Sequence, residues 1–263
     1  MSAKSNWKDL GPRLVSAIVL VAIGAVSIVL GGPFYLALIA VVTGLMVWEL
    51  LHMLSPKDRA TPIWMGLLAA AVLAGVGFLP PEAKLPVLLA PVIVGYSSLK
   101  QHRKLWVGYM PVIMLGGYSA LMLRVEFGVF WVLWLVSIVV ASDVLGYFAG
   151  RLFGGPKFWP RISPKKTWSG TVAGWVGAGL VGYWFMDQSD AEAVLIVISV
   201  VVAFAAQLGD IAESAIKRTT GVKDSSNLIP GHGGFLDRFD GMLGALLLVL
   251  IAGSVTNFLP GVQ

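Results

Sequence analysis

The chain has 263 residues, of which 57% are hydrophobic and only 13% charged, with a formal net charge of +5. A water-soluble domain of this size could not hide so much apolar surface in one core, so lipid is the expected solvent and no soluble domain is left over. The absence of cysteine excludes a disulfide framework and a thiolate metal site, and the basic residues are too dispersed to form a nucleic-acid surface.

Apolar runs near the roughly 20 residues that cross a bilayer recur along the whole chain. They predict an all-α polytopic membrane protein of about nine transmembrane helices, at about 14–31, 34–52, 62–80, 85–99, 105–123, 127–150, 170–186, 191–209 and 241–259. The fourth is short for a full crossing. The N-terminal run has no convincing small-residue cleavage site after it and reads as a retained helix rather than a signal peptide. Lys and Arg supply the orientation, because short cytoplasmic loops collect them. Lys4, Lys8 and Arg13 precede the first span, Lys57 and Arg59 follow the second, and Lys100, Arg103 and Lys104 follow the fourth. Arg151, Lys157, Arg161, Lys165 and Lys166 follow the sixth, and Lys217, Arg218, Lys223 and Arg238 follow the eighth, leaving Lys84 and Arg124 for the other side. The N-terminus is therefore expected in the cytoplasm and the C-terminus outside, with the basic inner face favouring anionic membrane lipids.

Residues 1–139 read as an N-terminal transmembrane scaffold of five to six spans, in which Glu49 and His52 reach the interface from the end of the second helix. Residues 140–263 read as a catalytic transmembrane region with cytoplasmic loops at 151–169 and 218–240. In the sixth span, Asp143, Tyr147, Gly150 and Arg151 share one helix face, and a carboxylate at that depth points to a polar cavity. Gly146, Gly150 and Gly154 read as close helix packing. "RISPKKTWSG" (161–170) then sets Lys165 and Lys166 before a helix start that Thr167 or Ser169 can cap, an arrangement that attracts phosphate. In the eighth span, Asp210, Glu213, Ser214 and Lys217 share a face. A helix from 191 to 217 would measure about 40 Å, about 10 Å more than the hydrocarbon, so these groups stand at the cytoplasmic interface.

The loop that follows contains "PGHGG" (230–234), whose glycines let backbone amides close around an anion, with His232 among them as a phosphate donor. "DRFD" adds Asp237 and Asp240 around Arg238; Asp240 can cap the ninth helix, whereas Asp237 has less reason to be a cap. Hard oxygen ligands, Lys, Arg and a glycine-rich loop together suit Mg²⁺ and phosphate, hence phosphoryl or nucleotidyl transfer at the inner interface.

Residues 214–240 resemble the signature of the phosphatidate cytidylyltransferase (CDP-diacylglycerol synthase) family: S-x-x-K-R-x4-K-D, then P-x-H-G-G, then D-R-x-D. Ser214, Lys217, Arg218, Lys223, Asp224, Pro230, His232, Gly233, Gly234, Asp237, Arg238 and Asp240 occupy those positions. Asp143 to Gly154 and the "SPKKTWSG" that starts at Ser163 resemble the family's second conserved region, with Ser169 standing where the family usually has glutamate. The resemblance implies transfer from CTP or dCTP to phosphatidic acid with Mg²⁺, giving CDP-diacylglycerol and pyrophosphate in a bacterial inner membrane. A second ion, monovalent included, and a homodimer are compatible with it. In this reading Asp210 and Asp237 bind metal. Lys217, Arg218, Asp224, His232, Arg238 and Asp240 act in catalysis, and Asp143, Ser163, Lys165, Lys166, Ser214, Lys223, Gly233 and Gly234 bind substrate. A CTP-dependent kinase of a membrane alcohol is the enzymic alternative and a secondary transporter the non-enzymic one; the D-G-x-x-A-R pattern of CDP-alcohol phosphotransferases is absent.

Overall fold

The computed structural model describes residues 10–255; Lys4, Lys8 and the end of the ninth predicted span, 256–259, lie outside the described residues. The helices are α1 (Leu10–Leu30), α2 (Gly32–Leu54), α3 (Ala60–Gly75, extended by a tighter turn at Val76–Phe78), α4 (Pro81–Ser98), α5 (Arg103–Leu152), α6 (Trp168–Asp187), α7 (Val194–Thr220) and α8 (Leu236–Val255). Each predicted span falls on one of them. The 50 residues of α5 hold two predicted spans, and the helix breaks at Gly128, whose φ of 83° only glycine adopts cheaply.

By length and composition, six helices among the described residues can cross a membrane: α1, α2, α3 with its extension, α5, α7 and α8. The chain is thus an all-α polytopic membrane protein. α4 and α6 stand outside that set. α4 carries Glu82 and Lys84 and two internal prolines, Pro86 and Pro91, while α6 is diluted by Gly170, Gly174, Gly177, Gly179 and Gly182. The predicted loop at 151–169 is more ordered than expected, because β1 (Lys157–Trp159) and β2 (Ser163–Thr167) pair antiparallel as a short hairpin.

The chain divides into two compact units. One comprises residues 1–117 and 219–239. In it α2 and α3 cross so closely that a Cβ on Gly44 or on Gly66 would come within 2.7 Å of the other's carbonyl oxygen, the contact small residues allow between membrane helices. Leu50, Leu51, Ala69 and Leu73 are fully buried around that crossing. Trp106 Nε1 donates to Val92 O at 2.9 Å, and its ring lies where a side chain on Gly95 would be. The N-terminus of α3 is capped by Asp58, whose Oδ1 accepts from Ala60 N and Thr61 N, each at 3.1 Å.

The other unit comprises residues 118–218 and 240–263. Within it α7 and α8 cross where Gly209 faces the Asp240 carbonyl and Gly244 faces that of Ala205. Gly146 of α5 packs on Gly170 at the start of α6 and Gly150 on Thr167, as the glycine spacing suggested, whereas Gly154 lies past the helix end at a φ of 61°, where a Cβ would meet nothing within 4 Å. Gln207 ties three helices: its Oε1 accepts from Trp175 Nε1 at 3.1 Å, while its Nε2 donates to Ser142 Oγ and Thr171 O, each at 3.3 Å.

The expected division at residue 139 differs from this arrangement. Residues 219–239, with the P-x-H-G-G loop, belong with the N-terminal helices because a side chain of α2 holds them, as described next.

Candidate active site

The second unit contains a cleft of about 460 Å³, within the range typical of small-molecule sites. α5 contributes Ser142, Asp143, Tyr147 and Arg151, the hairpin contributes Lys165 and Lys166, and α7 contributes Gln207 and Asp210. The helix face predicted for Asp143, Tyr147, Gly150 and Arg151 is therefore one wall. Arg151 Nη1 donates to the Tyr147 hydroxyl at 2.9 Å, which aligns the guanidinium along that wall.

Local structure explains how the lysines arrive there. Thr167 is the N-cap of α6, accepting from Gly170 N at 3.2 Å, and this fixes the end of β2. Ser169, standing where the family usually has glutamate, donates to Gly154 O at 2.5 Å and so ties the start of α6 to the turn after α5. Lys166 Nζ then lies 2.5 Å from Asp210 Oδ2, while Ser214 Oγ donates to Asp210 Oδ1 at 3.2 Å. Asp210 remains partly accessible, with a third of its side chain exposed. One turn further along α7, Lys217 pairs with Glu213, which is fully buried. Asp240, half-buried on α8, stands within electrostatic range of Asp210, Asp143 and Lys217.

Cations and carboxylates thus face the same space. Among the described residues no three His, Asp or Glu side chains form a ready-made metal cage. Mg²⁺ keeps several waters and binds through one or two carboxylates plus substrate phosphates. Asp210 and Asp143 are hard oxygen donors of the required kind.

The first unit arranges its polar residues differently. Glu49, on α2, is fully buried within the protein. Its Oε1 accepts from Ser226 Oγ at 2.6 Å and Phe235 N at 2.9 Å, and its Oε2 from Leu236 N at 2.6 Å and Ser225 Oγ at 3.2 Å. Asp237 lies in the first turn of α8, which begins at Leu236, earlier than the predicted 241. Its Oδ2 accepts from Ser225 N, Ser225 Oγ and Gly234 N, each at 2.8 Å. The Gly234 amide therefore donates to the Asp237 carboxylate. Gly233 has a φ of 89°, and a Cβ there would stand 2.7 Å from Asp237 Oδ2.

His232 Nδ1 lies 2.9 Å from Ser16 Oγ of α1, and Arg238 Nε donates to His232 O at 3.1 Å. Lys223 and Asp224 are exposed in the segment before the loop, and Arg218 is exposed in the last turn of α7. Of the predicted site residues, Asp143, Lys165, Lys166 and Asp210 line the cleft, with Ser214 bound to Asp210. Ser163 lies in β2 outside the lining. Sequence reasoning missed Gln207, Ser225 and the burial of Glu49. An acid flanked by apolar residues in "VWELL" was the one available signal for Glu49, but its partners lie more than 170 residues away.

A family model described as "Cytidylyltransferase family" matches residues 11–256. The chain belongs to this family. Relatives named phosphatidate cytidylyltransferase include one from Haemophilus influenzae, 32% identical over 276 residues, covering 89% of this chain and 95% of the relative. One from Staphylococcus saprophyticus is 31% identical over 252 residues, covering 91% and 97%. One from Brucella abortus (strain 2308) is 40% identical over 146 residues, and there the chain spans about half of the relative, 54%. Lys165, Lys166 and Arg151 are the cations that line the cleft.

Proposed function

We propose that this chain transfers the cytidylyl group of CTP, or dCTP, to phosphatidic acid, releasing pyrophosphate and forming CDP-diacylglycerol. The observation that carries the reading is the cleft, where Lys165 and Lys166 face Asp210 and Asp143 in a protein whose remaining surface is mostly apolar. The family match and the names of relatives that align over nearly their whole length support it.

A phosphatidate oxygen attacks the α-phosphorus of the nucleotide, the bond from that phosphorus to the β-phosphate oxygen breaks, and its electrons leave with pyrophosphate. Phosphatidate is already an anion at neutral pH, so no general base is required. Lys165, Lys166 and Arg151 neutralise charge on the triphosphate and on the leaving group. Asp210 and Asp143 would hold Mg²⁺. Bound metal would supply Lewis acidity and charge neutralisation at the phosphates. Lys166 holds Asp210 in place until a phosphate competes for the ammonium. Lys217, Arg218 and Asp240 of the second unit and Asp224, His232 and Arg238 of the first are assigned to catalysis, and Lys223 to substrate.

We further propose nine crossings of a bacterial inner membrane, with the N-terminus and the site on the cytoplasmic side. The alternation of Lys and Arg between loops supports this orientation. Because the chain lacks cysteine, single cysteines placed in each loop can be tested for labelling from either side.

The deciding test uses purified protein in detergent with phosphatidic acid, Mg²⁺ and CTP labelled separately at the α- and γ-phosphorus. Entry of α-label into lipid, with γ-label released as pyrophosphate, is the expected result. Transfer of γ-label to lipid would make this a kinase, and transfer of neither would remove the enzyme reading.

A further inference from the structure

We propose that Glu49 is a positioning residue for the glycine-rich loop: its buried carboxylate gathers Ser225, Ser226, Phe235 and Leu236, and through them sets the place of Asp237, His232 and Arg238. An isolated carboxylate at this depth is heavily penalised, and four converging donors offset that penalty. Two of them, Phe235 N and Leu236 N, are orphan amides at the start of α8, where the helix dipole also favours a negative charge.

Ser225 connects this anchor to Asp237. Its hydroxyl lies 3.2 Å from Glu49 and 2.8 Å from Asp237, and its backbone amide donates to Asp237 as well. The chain wraps so tightly here that a Cβ on Gly234 would overlap both Glu49 and Ser225. A role limited to filling space would be met by an apolar side chain; four polar contacts on one turn instead specify a single loop conformation. The stereochemistry also requires a carboxylate. Each oxygen takes one backbone N–H and one hydroxyl, so glutamine must turn its NH₂ toward a backbone donor that cannot turn away.

The effect on turnover rests on the cytidylyl-transfer reading, whereas the effect on the loop does not. The cysteine-free chain allows a nitroxide on Asn227→Cys to report on the loop and one on Lys157→Cys, in β1, to serve as control. In the full chain in detergent, Glu49→Gln is expected to mobilise the label at 227 and leave that at 157 unchanged. It should also lower kcat by about tenfold or more without raising KM for CTP, the scale seen when a group orienting a functional residue is lost. Ser225→Ala keeps both backbone anchors and should act in the same direction but more weakly, which carries the test if Glu49→Gln does not fold. A label at 227 as rigid as in the parent, or equal mobilisation at 227 and 157, would overturn the proposal. Loop mobilisation in a protein that transfers no cytidylyl group would uphold the positioning role and sink the enzyme reading.

Discussion

In the second unit Asp143, Lys165, Lys166 and Asp210 line one open cleft, in which Lys166 pairs with Asp210. In the first unit Glu49, Ser225, Ser226, Asp237 and the amides of residues 234–236 close on one another around a fully buried carboxylate. Both regions look equally polar in sequence. The difference teaches that polarity facing a cavity serves chemistry, while polarity satisfied within the fold sets geometry, and the two respond differently to substitution.

The largest effect is expected in the cleft. Asp210→Asn should lower turnover on the order of a hundredfold or more with the protein still folded, since one well-placed electrostatic group contributes that much; steady-state rates beside a melting curve check it. Gly234→Ala attacks the closed region instead. Overpacking against Glu49 and Ser225 should cost about 1–3 kcal/mol of stability, seen as a lower unfolding midpoint in detergent. Lys165→Ala leaves folding intact and should raise KM for CTP by about tenfold, the loss of one charged hydrogen bond. If Lys165→Ala destabilised the protein and Gly234→Ala did not, the contrast between the two regions would be lost.

The smallest effect concerns Asp58, at the exposed start of α3. Hydrogen bonds from the Thr61 side chain and then the Thr61 amide, with another from Ala60, hold its carboxyl below the ordinary 3.8. A lowered folded-state value means that the stabilisation is full above a pH of about 4 and is lost as the pH falls through the folded value. The difference in melting temperature between the parent and Asp58→Ala should therefore shrink in acid.

Much of the helical layout was legible, because apolar runs bounded by Lys and Arg mark membrane helices whatever packs around them. The face Asp143, Tyr147, Gly150 and Arg151 was readable for the same reason: spacing along one helix is a local property. α4 and α6 fall on predicted spans too, although prolines and charges in one and glycines in the other leave them outside the six helices, among the described residues, that can span by length and composition. The role of Glu49 depends on donors that arrive from residues 225–236, and no local pattern encodes that meeting. The early start of α8 was hidden as well, because "LDRFD" is polar enough to pass for loop until Glu49 takes up the amides of Phe235 and Leu236 at its start.

The most direct test of the central claim, that the cleft receives the nucleotide's phosphates, is equilibrium binding of labelled CTP to detergent-solubilised protein. Lys165→Ala/Lys166→Ala should weaken binding by about tenfold or more relative to the parent, with Lys157→Ala, elsewhere in the hairpin, unchanged. Equal affinity in the parent and the double variant would contradict the assignment of CTP to this cleft.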